Sequence, residues 1–557
     1  MNYLDTFIKK NINIIISTFI LLGPILDLIT GFCLHSLNIS LTLGIIVRLI
    51  FLIYMCLIVI FIFKKKKLIV PYLIIGLYFI LYVLGMIIYD NTILFTEIQG
   101  LVKVFYFPIL FISIYSIKDE IKTSKMTLFV ILFLYLIFIF VPTLLGIGYK
   151  SYEVTKEGTL GFFNSANEVS GIISILTPIM FIILYKAKNL IPKLILLVMY
   201  LVVILMMGTK TPLISLIITL FVVFIYFGKK FIIEKNYKVI IISILVIIIG
   251  IISLVLVIPK TNFYKNIRTH LDYLGLNNIT EVFSKEKYVD HFIFSSRIKF
   301  LKKKAKIYNK EPLYKKIFGI GYINNNKQTK MIEMDYFDIY YSHGIIGFII
   351  FFVPIIYIIY KIFKNKRNKS FDNIMLYVSV LLIVLLSLLT GHIITSPSVS
   401  LLCIIIFMML IVRNKKDLLI IYDNDISNIE DSINKDVYEV KVLNNNIKYK
   451  NNIRLLIFKI YYYMVYDTCI CYHIDNEHSS ELAIVSSDNR LIFINKDMNI
   501  NKNKIFHYFK EIRIYQYNLL VFDNKIRKDK FTSIYNNLKD RCIIFKKDNE
   551  LLNNIFI

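Results

Sequence analysis

Short polar stretches punctuate an otherwise apolar chain, and they carry the residue types that chemistry needs. One runs from Gly158 to Glu168 and contains Asn164 and Asn167. A second reads Gly208-Thr209-Lys210-Thr211-Pro212. Further along come Ser295-Ser296-Arg297, Gly319-Ile320-Gly321-Tyr322 and Glu333-Met334-Asp335-Tyr336-Phe337-Asp338, then Gly344-Ile345-Ile346-Gly347. The last reads Gly391-His392-Ile393-Ile394-Thr395-Ser396-Pro397. Fixed cations such as Lys210 and Arg297 can hold negative charge as it develops on a leaving group. Carboxylates such as Glu333, Asp335 and Asp338 can take a proton from a hydroxyl or orient it. Each residue also has a plainer use. Lys210 suits the cap of a hairpin, and Arg297 is one of many loop cations. The acids suit helix caps, the asparagines suit an N-cap or polar packing between helices, and a lone His392 at a helix end suits a satisfied polar contact.

Other chemistries are excluded. Cys469-x-Cys471 has one intervening residue, so it is neither a zinc knuckle nor a redox pair, and six cysteines are too few for a disulfide framework. No structural metal, disulfide or cofactor is expected. Gly319-x-Gly321 follows no strand of a βαβ unit and reads as a tight turn rather than a dinucleotide loop.

The elements that hold these residues follow from composition. Of 557 residues 57% are hydrophobic and 18% charged, against roughly a quarter charged in soluble domains. The mean hydropathy is +0.66. A soluble enzyme, a disordered chain and a secreted disulfide scaffold are excluded. A spanning helix needs about 20 apolar residues. Twelve candidates are present, at roughly 12–30, 39–63, 68–89, 99–117, 126–146, 164–185, 191–207, 211–227, 239–258, 344–363, 373–390 and 397–412. The N-terminus has no small-residue cleavage site and is expected to stay. Asp27, Arg48 and Lys103 lie inside apolar runs, where ions are costly, tend to pair and are often functional.

The net charge of +27 would suggest nucleic acid in a soluble protein. Here its distribution points to a membrane. With both termini cytoplasmic, the inner loops and adjoining span ends carry 24 Lys and Arg, whereas the short outer loops carry three, Lys150, Lys156 and Lys210. That asymmetry supports twelve spans in this orientation and places the polar stretches on the outer side. The segment 259–343 is too ionic for lipid and becomes a large extracytoplasmic loop. The tail 413–557 is cytoplasmic. The expected fold is therefore an α-helical polytopic protein of the cytoplasmic membrane with about twelve transmembrane helices. Domain 1–412 spans the membrane and domain 413–557 is a small α/β domain.

The order of these motifs, the span plan and the large loop after span nine resemble the O-antigen ligase and polymerase superfamily of membrane glycosyltransferases, over about residues 1–412. The run Glu333 to Gly347 is the most specific element. It looks like the acidic-aromatic, Gly-rich approach to span ten in Gram-positive members. The resemblance implies a GT-C-like fold and an undecaprenyl-diphosphate-linked oligosaccharide donor, transferred to a glycan hydroxyl without a nucleotide. It casts Lys210 and Arg297 as the diphosphate clamp; of the ions inside apolar runs, Asp27, Arg48 and Lys103 either pair with one another or leave Lys103 to face the lipid diphosphate. It casts Asn164, Asn167 and His392 as substrate-binding. Many members have a His-Asn pair eleven and ten residues before the first Gly of span ten, where this chain has Glu333 and Met334. Glu333 is then the first candidate base, with Asp335 or Asp338 second. Membrane lipid, a flippase and a chain-length regulator become the expected partners, and nucleic acid does not. Capsular or exopolysaccharide polymerisation fits the AT-rich composition. A flippase or other transporter, or a non-catalytic assembly protein, stays an alternative.

In the tail, strands are expected at Leu418–Tyr422, Val437–Leu443, Cys469–His473, Leu491–Asn495, Leu519–Phe522 and Cys542–Phe545. Helices are expected at 451–465, 478–487, 501–512 and 528–538. The alternation implies a parallel sheet. The tail weakly resembles the N-terminal half of a GT-B glycosyltransferase, through Tyr466 to Tyr472 and Leu491 to Asp497. No phosphate loop is present, so a docking or vestigial role is expected.

Overall fold

Backbone polar groups in hydrocarbon have no water to bond, so a long apolar run must close its own hydrogen bonds as a helix. The computed structural model shows this outcome. It describes residues 3–37, 39, 43–90, 94–121, 124–151, 158–187, 189–233, 258–324, 327–328, 331–364, 370–411, 418–422, 469–476, 479–486, 490–495, 512–516, 518–521 and 542–546. Among these residues ten helices are long and apolar enough to cross a membrane. The chain is an integral membrane protein.

The spanning helices are α1 (Tyr3–Ser36), α2 (Leu43–Leu57, continued by the π-turn Ile58–Ile62), α3 (Ile69–Asp90), α4 (Leu94–Ser116) and α5 (Lys125–Leu144). They continue with α6 (Ala166–Lys186), α7 (Leu190–Met207) and α8 (Lys210–Ile233). After the cap helices α9 (Asn262–Leu274), α10 (Glu286–Phe294), α11 (Arg297–Lys310) and α12 (Leu313–Phe318) come α13 (Asp335–Lys364) and α14 (Phe371–Leu389). The apolar helix α15 (Pro397–Ile411) has 15 residues. It is apolar all round and buried along nearly its whole length, as a helix at the centre of a bundle must be. The opposite case is α3, whose Leu73 and Leu77 are exposed to the surroundings that lipid would fill.

The ninth expected span, 239–258, lies almost wholly outside the described residues. The tenth expected span begins earlier than its apolar run, at Asp335 rather than near 344. Two glycine conformations explain the junction. Gly344 has φ 66° and ψ −171° inside α13, which kinks the helix. The kink frees the carbonyls of Tyr341 and Ser342, and these accept from the N–H groups of Ile320 and Gly321 at 3.0 and 3.1 Å. Gly319, at φ 109°, lies so close to Ser342 that a Cβ would overlap its carbonyl. The loop after α12 is thus stitched to the broken turn of α13.

The chain divides into two compact units. One comprises Ile15–Ile121 and Leu128–Val412, and the other comprises Met1–Ile14, Lys122–Thr127 and Arg413–Ile557. In the first, the cap has a small core of Leu271, Leu276, Val282 and Phe292. Its helix α9 starts on Thr261, whose hydroxyl accepts from the Tyr264 N–H, and ends on Gly275 in the left-handed conformation.

The tail corrects one expectation. A short two-stranded pair β1 (Ile323–Asn324) and β2 (Lys327–Gln328) precedes it in the chain. The tail strands are β3 (Leu418–Tyr422), β4 (Cys469–Asn476), β5 (Ser479–Ser486), β6 (Arg490–Asn495), β7 (Ile512–Gln516), β8 (Asn518–Val521) and β9 (Cys542–Lys546). β3 pairs in parallel with β8 and β9, as the alternation implied. The segment 478–487, expected as a helix, is strand β5 in an antiparallel meander β4-β5-β6-β7. The linkers Glu477-His478 and Ser487-Asp488-Asn489 are too short for the crossover that a parallel pair requires. The strand expected at 437–443 and the helices expected at 451–465 and 528–538 lie outside the described residues, as does the helix expected at 501–512 except for Ile512, which begins strand β7.

Candidate functional site

The polar stretches meet where α6, α8, α11, α13 and the α14–α15 turn come together. Arg297 is placed by a break in the chain. Ser295 and Ser296 both take positive φ, 52° and 64°, which ends α10 and turns the chain into α11. The Asp290 carboxylate then caps α11, accepting from the N–H groups of Ile298 and Lys299 at 2.9 and 3.0 Å. Arg297 is buried, 8% exposed. Its Nη2 donates to Glu333 Oε2 at 3.1 Å. Its Nε is buried and has no hydrogen-bond partner among the described residues. A buried orphan donor is expensive and calls for an explanation.

Glu333 is held from several sides. Its backbone is left-handed, with φ 63°. Its N–H donates to Asp338 Oδ2 at 2.8 Å. Gly391 lies against its carbonyl, where a Cβ would overlap. Asn167, in the first turn of α6, donates from Nδ2 to the same Oε2 at 3.3 Å. The side chain stays 34% exposed, so it is oriented yet reachable. Among the described residues, four of the five non-glycine positions with positive φ are Ser295, Ser296, Glu333 and His392. Backbone strain gathers at sites that must hold an unusual geometry.

Lys210 is the first residue of α8, as Arg297 is of α11. Its Nζ donates to the Phe292 carbonyl and lies 4.1 Å from the centroid of that ring. It is close enough to Arg297, His270 and His291 for its charge to act on all three. His270 and His291 face one another at 3.4 Å, and His291 meets Ser296 Oγ at 3.1 Å. Burial and the Lys210 charge push His270 down to about 4 and lower His291 as well. A cation at the N-terminus of a helix opposes the helix dipole, and two such cations repel one another. An anion between them would relieve both conflicts.

The other expected site residues are placed as follows. Asp335 is buried, and its carboxylate accepts from the N–H groups of His392, Ile393 and Ile394 at 2.7, 2.9 and 3.0 Å and from Thr395 Oγ1 at 2.7 Å. Asp338 accepts from the N–H groups of Ile332, Glu333 and Met334. Both acids hold backbone in place, Asp335 for the last turn and Asp338 for Glu333. His392 lies in that turn at φ 58°. Its ring acts electrostatically on Asp335 and Glu168. Lys103 of α4 pairs with Glu168 at 3.5 Å and is 45% exposed. Glu168 is the neighbour of Asn167, so Lys103 flanks the cluster. Asn164 is exposed, and its backbone lies against Gly31 of α1. Asp27 and Arg48 pair with each other at 2.5 Å, and Ser398 and Tyr135 donate to the same carboxylate.

Several participants were not singled out from the sequence. Lys304, two turns beyond Arg297 on α11, is buried, donates to Ser342 Oγ at 2.8 Å and lies 3.6 Å from Asp338. Burial lowers its pKa, against the opposing pull of Asp338. Glu97 is fully buried, accepts from Tyr82 Oη at 2.7 Å and accepts from the Tyr322 N–H at 2.8 Å. Tyr322 Oη in turn meets His343 Nε2 at 2.7 Å. An acid at the head of an apolar run was a usable signal for Glu97. The Asp290 cap had none, because it stands seven residues before the helix it caps. Among the described residues no group of three metal-ligating side chains occurs.

No curated protein matches the chain. The sequence pattern of the family described as "O-antigen ligase like membrane protein" matches residues 9–287 and 277–417. That match covers most of the chain and includes every residue of the cluster. The chain belongs to the O-antigen ligase-like membrane protein family, whose members act in polysaccharide assembly at the membrane.

Proposed function

We propose that the protein is a glycosyltransferase that extends a cell-surface polysaccharide, transferring an oligosaccharide from undecaprenyl diphosphate to a hydroxyl of another glycan. In this reaction a bond forms between the acceptor oxygen and the anomeric carbon of the donor. The bond from that carbon to the diphosphate breaks. Arg297 and Lys210 receive the departing diphosphate and hold its negative charge. The acceptor proton passes to the Glu333 carboxylate, which Asn167 and Arg297 keep in one orientation. Lys103 and His392 border the same space and suit the diphosphate and the sugar hydroxyls respectively. The family histidine is replaced here by Glu333, and a carboxylate serves the same base chemistry.

The observation that carries this reading is the cationic pair at two helix N-termini, with the Nε of Arg297 buried and without a partner among the described residues. A diphosphate oxygen supplies the missing acceptor and relieves the repulsion between the cations. The cluster lies on the side that the lysine asymmetry assigns to the cell exterior, where a capsular or exopolysaccharide repeat would be joined. Purified protein incubated with undecaprenyl-diphosphate oligosaccharide, without nucleotide or metal, should give a ladder of longer glycans. Absence of any lengthened product, with intact donor recovered, would refute the transfer.

A further inference from the structure

Helix α11 has two cationic faces. Arg297 and Lys304 face the cluster described above. Lys299, Lys303 and Lys306 lie on another face, at spacings that make them neighbours along the helix. They line a cleft of about 860 Å³ in the cap, closed on the other side by Tyr273 of α9 and by α10. That volume falls in the range of roughly 300–1,000 Å³ typical of small-ligand sites. Among the described residues five lysines line it against two carboxylates. One carboxylate, Glu286, is taken by Lys302 at 2.7 Å, and the other, Asp290, caps α11. Lys299, Lys303 and Lys306 thus stand as like charges at helical neighbour positions, an arrangement that weakens a helix unless an anion offsets it.

The cleft also has an aromatic wall. Tyr273 is 78% exposed and stacks on His291, with ring centroids 5.0 Å apart and planes 20° apart. An exposed, preorganised aromatic face is what the C–H face of a pyranose ring packs against. His291 also bonds to Ser296 next to Arg297, so the cleft opens beside the cluster.

We infer that this cleft binds the acceptor glycan and that the glycan is acidic, carrying carboxylate or phosphate groups along its chain. Tyr273 and His291 receive a sugar ring, and Lys299, Lys303 and Lys306 receive its anionic substituents. The inference rests on the transfer reading and names its substrate class. A lipid headgroup shares the anionic chemistry but offers no ring for the aromatic wall, and the glycan is favoured on that ground.

The test uses the full chain in nanodiscs of phosphatidylcholine, with a fluorescent hexamer of galacturonate as probe and maltohexaose as the neutral control. The acidic hexamer should bind at least tenfold more tightly than the neutral one. Its affinity should fall as salt rises. The variant K299Q/K303Q/K306Q should bind it roughly tenfold more weakly, and K310Q, on the same helix outside the cleft, should bind it normally. Equal affinity for both hexamers, or an unchanged triple variant, overturns the inference. Displacement of the probe by phosphatidylglycerol micelles but not by unlabelled galacturonate hexamer would assign the cleft to lipid and also overturn it. Selective binding of the hexamer by a protein that lengthens no glycan would sink the transfer reading while leaving the cleft standing.

Discussion

Asp335→Asn isolates what holds the last turn. Asp335 Oδ1 accepts from the His392 N–H and from Thr395 Oγ1, and Oδ2 accepts from the N–H groups of Ile393 and Ile394. All of these donors are buried or partly buried, within 3.0 Å of the carboxylate. Asparagine has the same shape but one acceptor oxygen. With its NH₂ group toward Ile393 and Ile394 the amide would face two N–H donors; toward His392 and Thr395 it would face one, because the Thr395 hydroxyl can turn and accept. The second orientation is favoured, and it orphans one donor at about 1–3 kcal/mol. The turn should therefore lose roughly 1–3 kcal/mol of local stability, which is about 5- to 160-fold in its opening constant. Hydrogen exchange reads this directly: the amides of His392, Ile393 and Ile394 should exchange faster by that factor, while amides in the centre of α15 keep their protection. Glycan transfer should fall with it, because the turn carries His392 and seats Gly391 against Glu333. Unchanged exchange at these three amides would refute the assignment of Asp335 as the anchor.

Arg297→Gln should reduce glycan transfer about 100- to 1,000-fold, the usual cost of removing a preorganised charged donor. Its apparent melting temperature should stay within a few degrees, because the partner Glu333 is partly solvated; near-normal transfer by an R297Q protein at normal expression would remove Arg297 from the chemistry. Glu333→Gln should lose transfer while retaining donor lipid, and retained activity would pass the base role elsewhere. Gly344→Ala places a Cβ at φ 66° and against the Ile317 carbonyl, so its apparent melting temperature should fall in line with at least about 1–3 kcal/mol of backbone strain; a wild-type melt would refute the kink as a glycine requirement. The cap should also weaken in acid. Folded His270 stays neutral down to about 4 from an ordinary value of 6.5. Unfolded chain therefore binds more protons between those limits, and stability falls as pH drops through that window and levels off below it. Proteolysis of the cap should accelerate over this range, and H270Q should flatten the trend; an unaltered slope would discard His270 as its source.

What the amino-acid sequence determines by itself is everything that depends on local hydropathy and charge. Apolar runs must become helices in lipid, lysines crowd one side of them, and Arg297, Lys210 and Glu333 therefore end up at one end of the bundle. The hairpin at Gly208 and the tight turn at Gly319-x-Gly321 were legible for the same local reason. Pairing was not legible. Arg297 meets Glu333 across 36 positions, Asn167 meets Glu333 across 166, and Asp335 meets the last turn across 57 to 60. Each of those contacts exists because helices pack, and no periodicity along the chain records it. The same distance separates an acid left reachable from one that holds backbone: Glu333, Asp335 and Asp338 are alike in sequence, and only the folded chain gives Asp335 and Asp338 backbone N–H groups to accept from. Strand β5 was misread as a helix because a run of eight residues is too short for its periodicity to decide, and the brevity of its flanking turns settles it only once the partner strands are known.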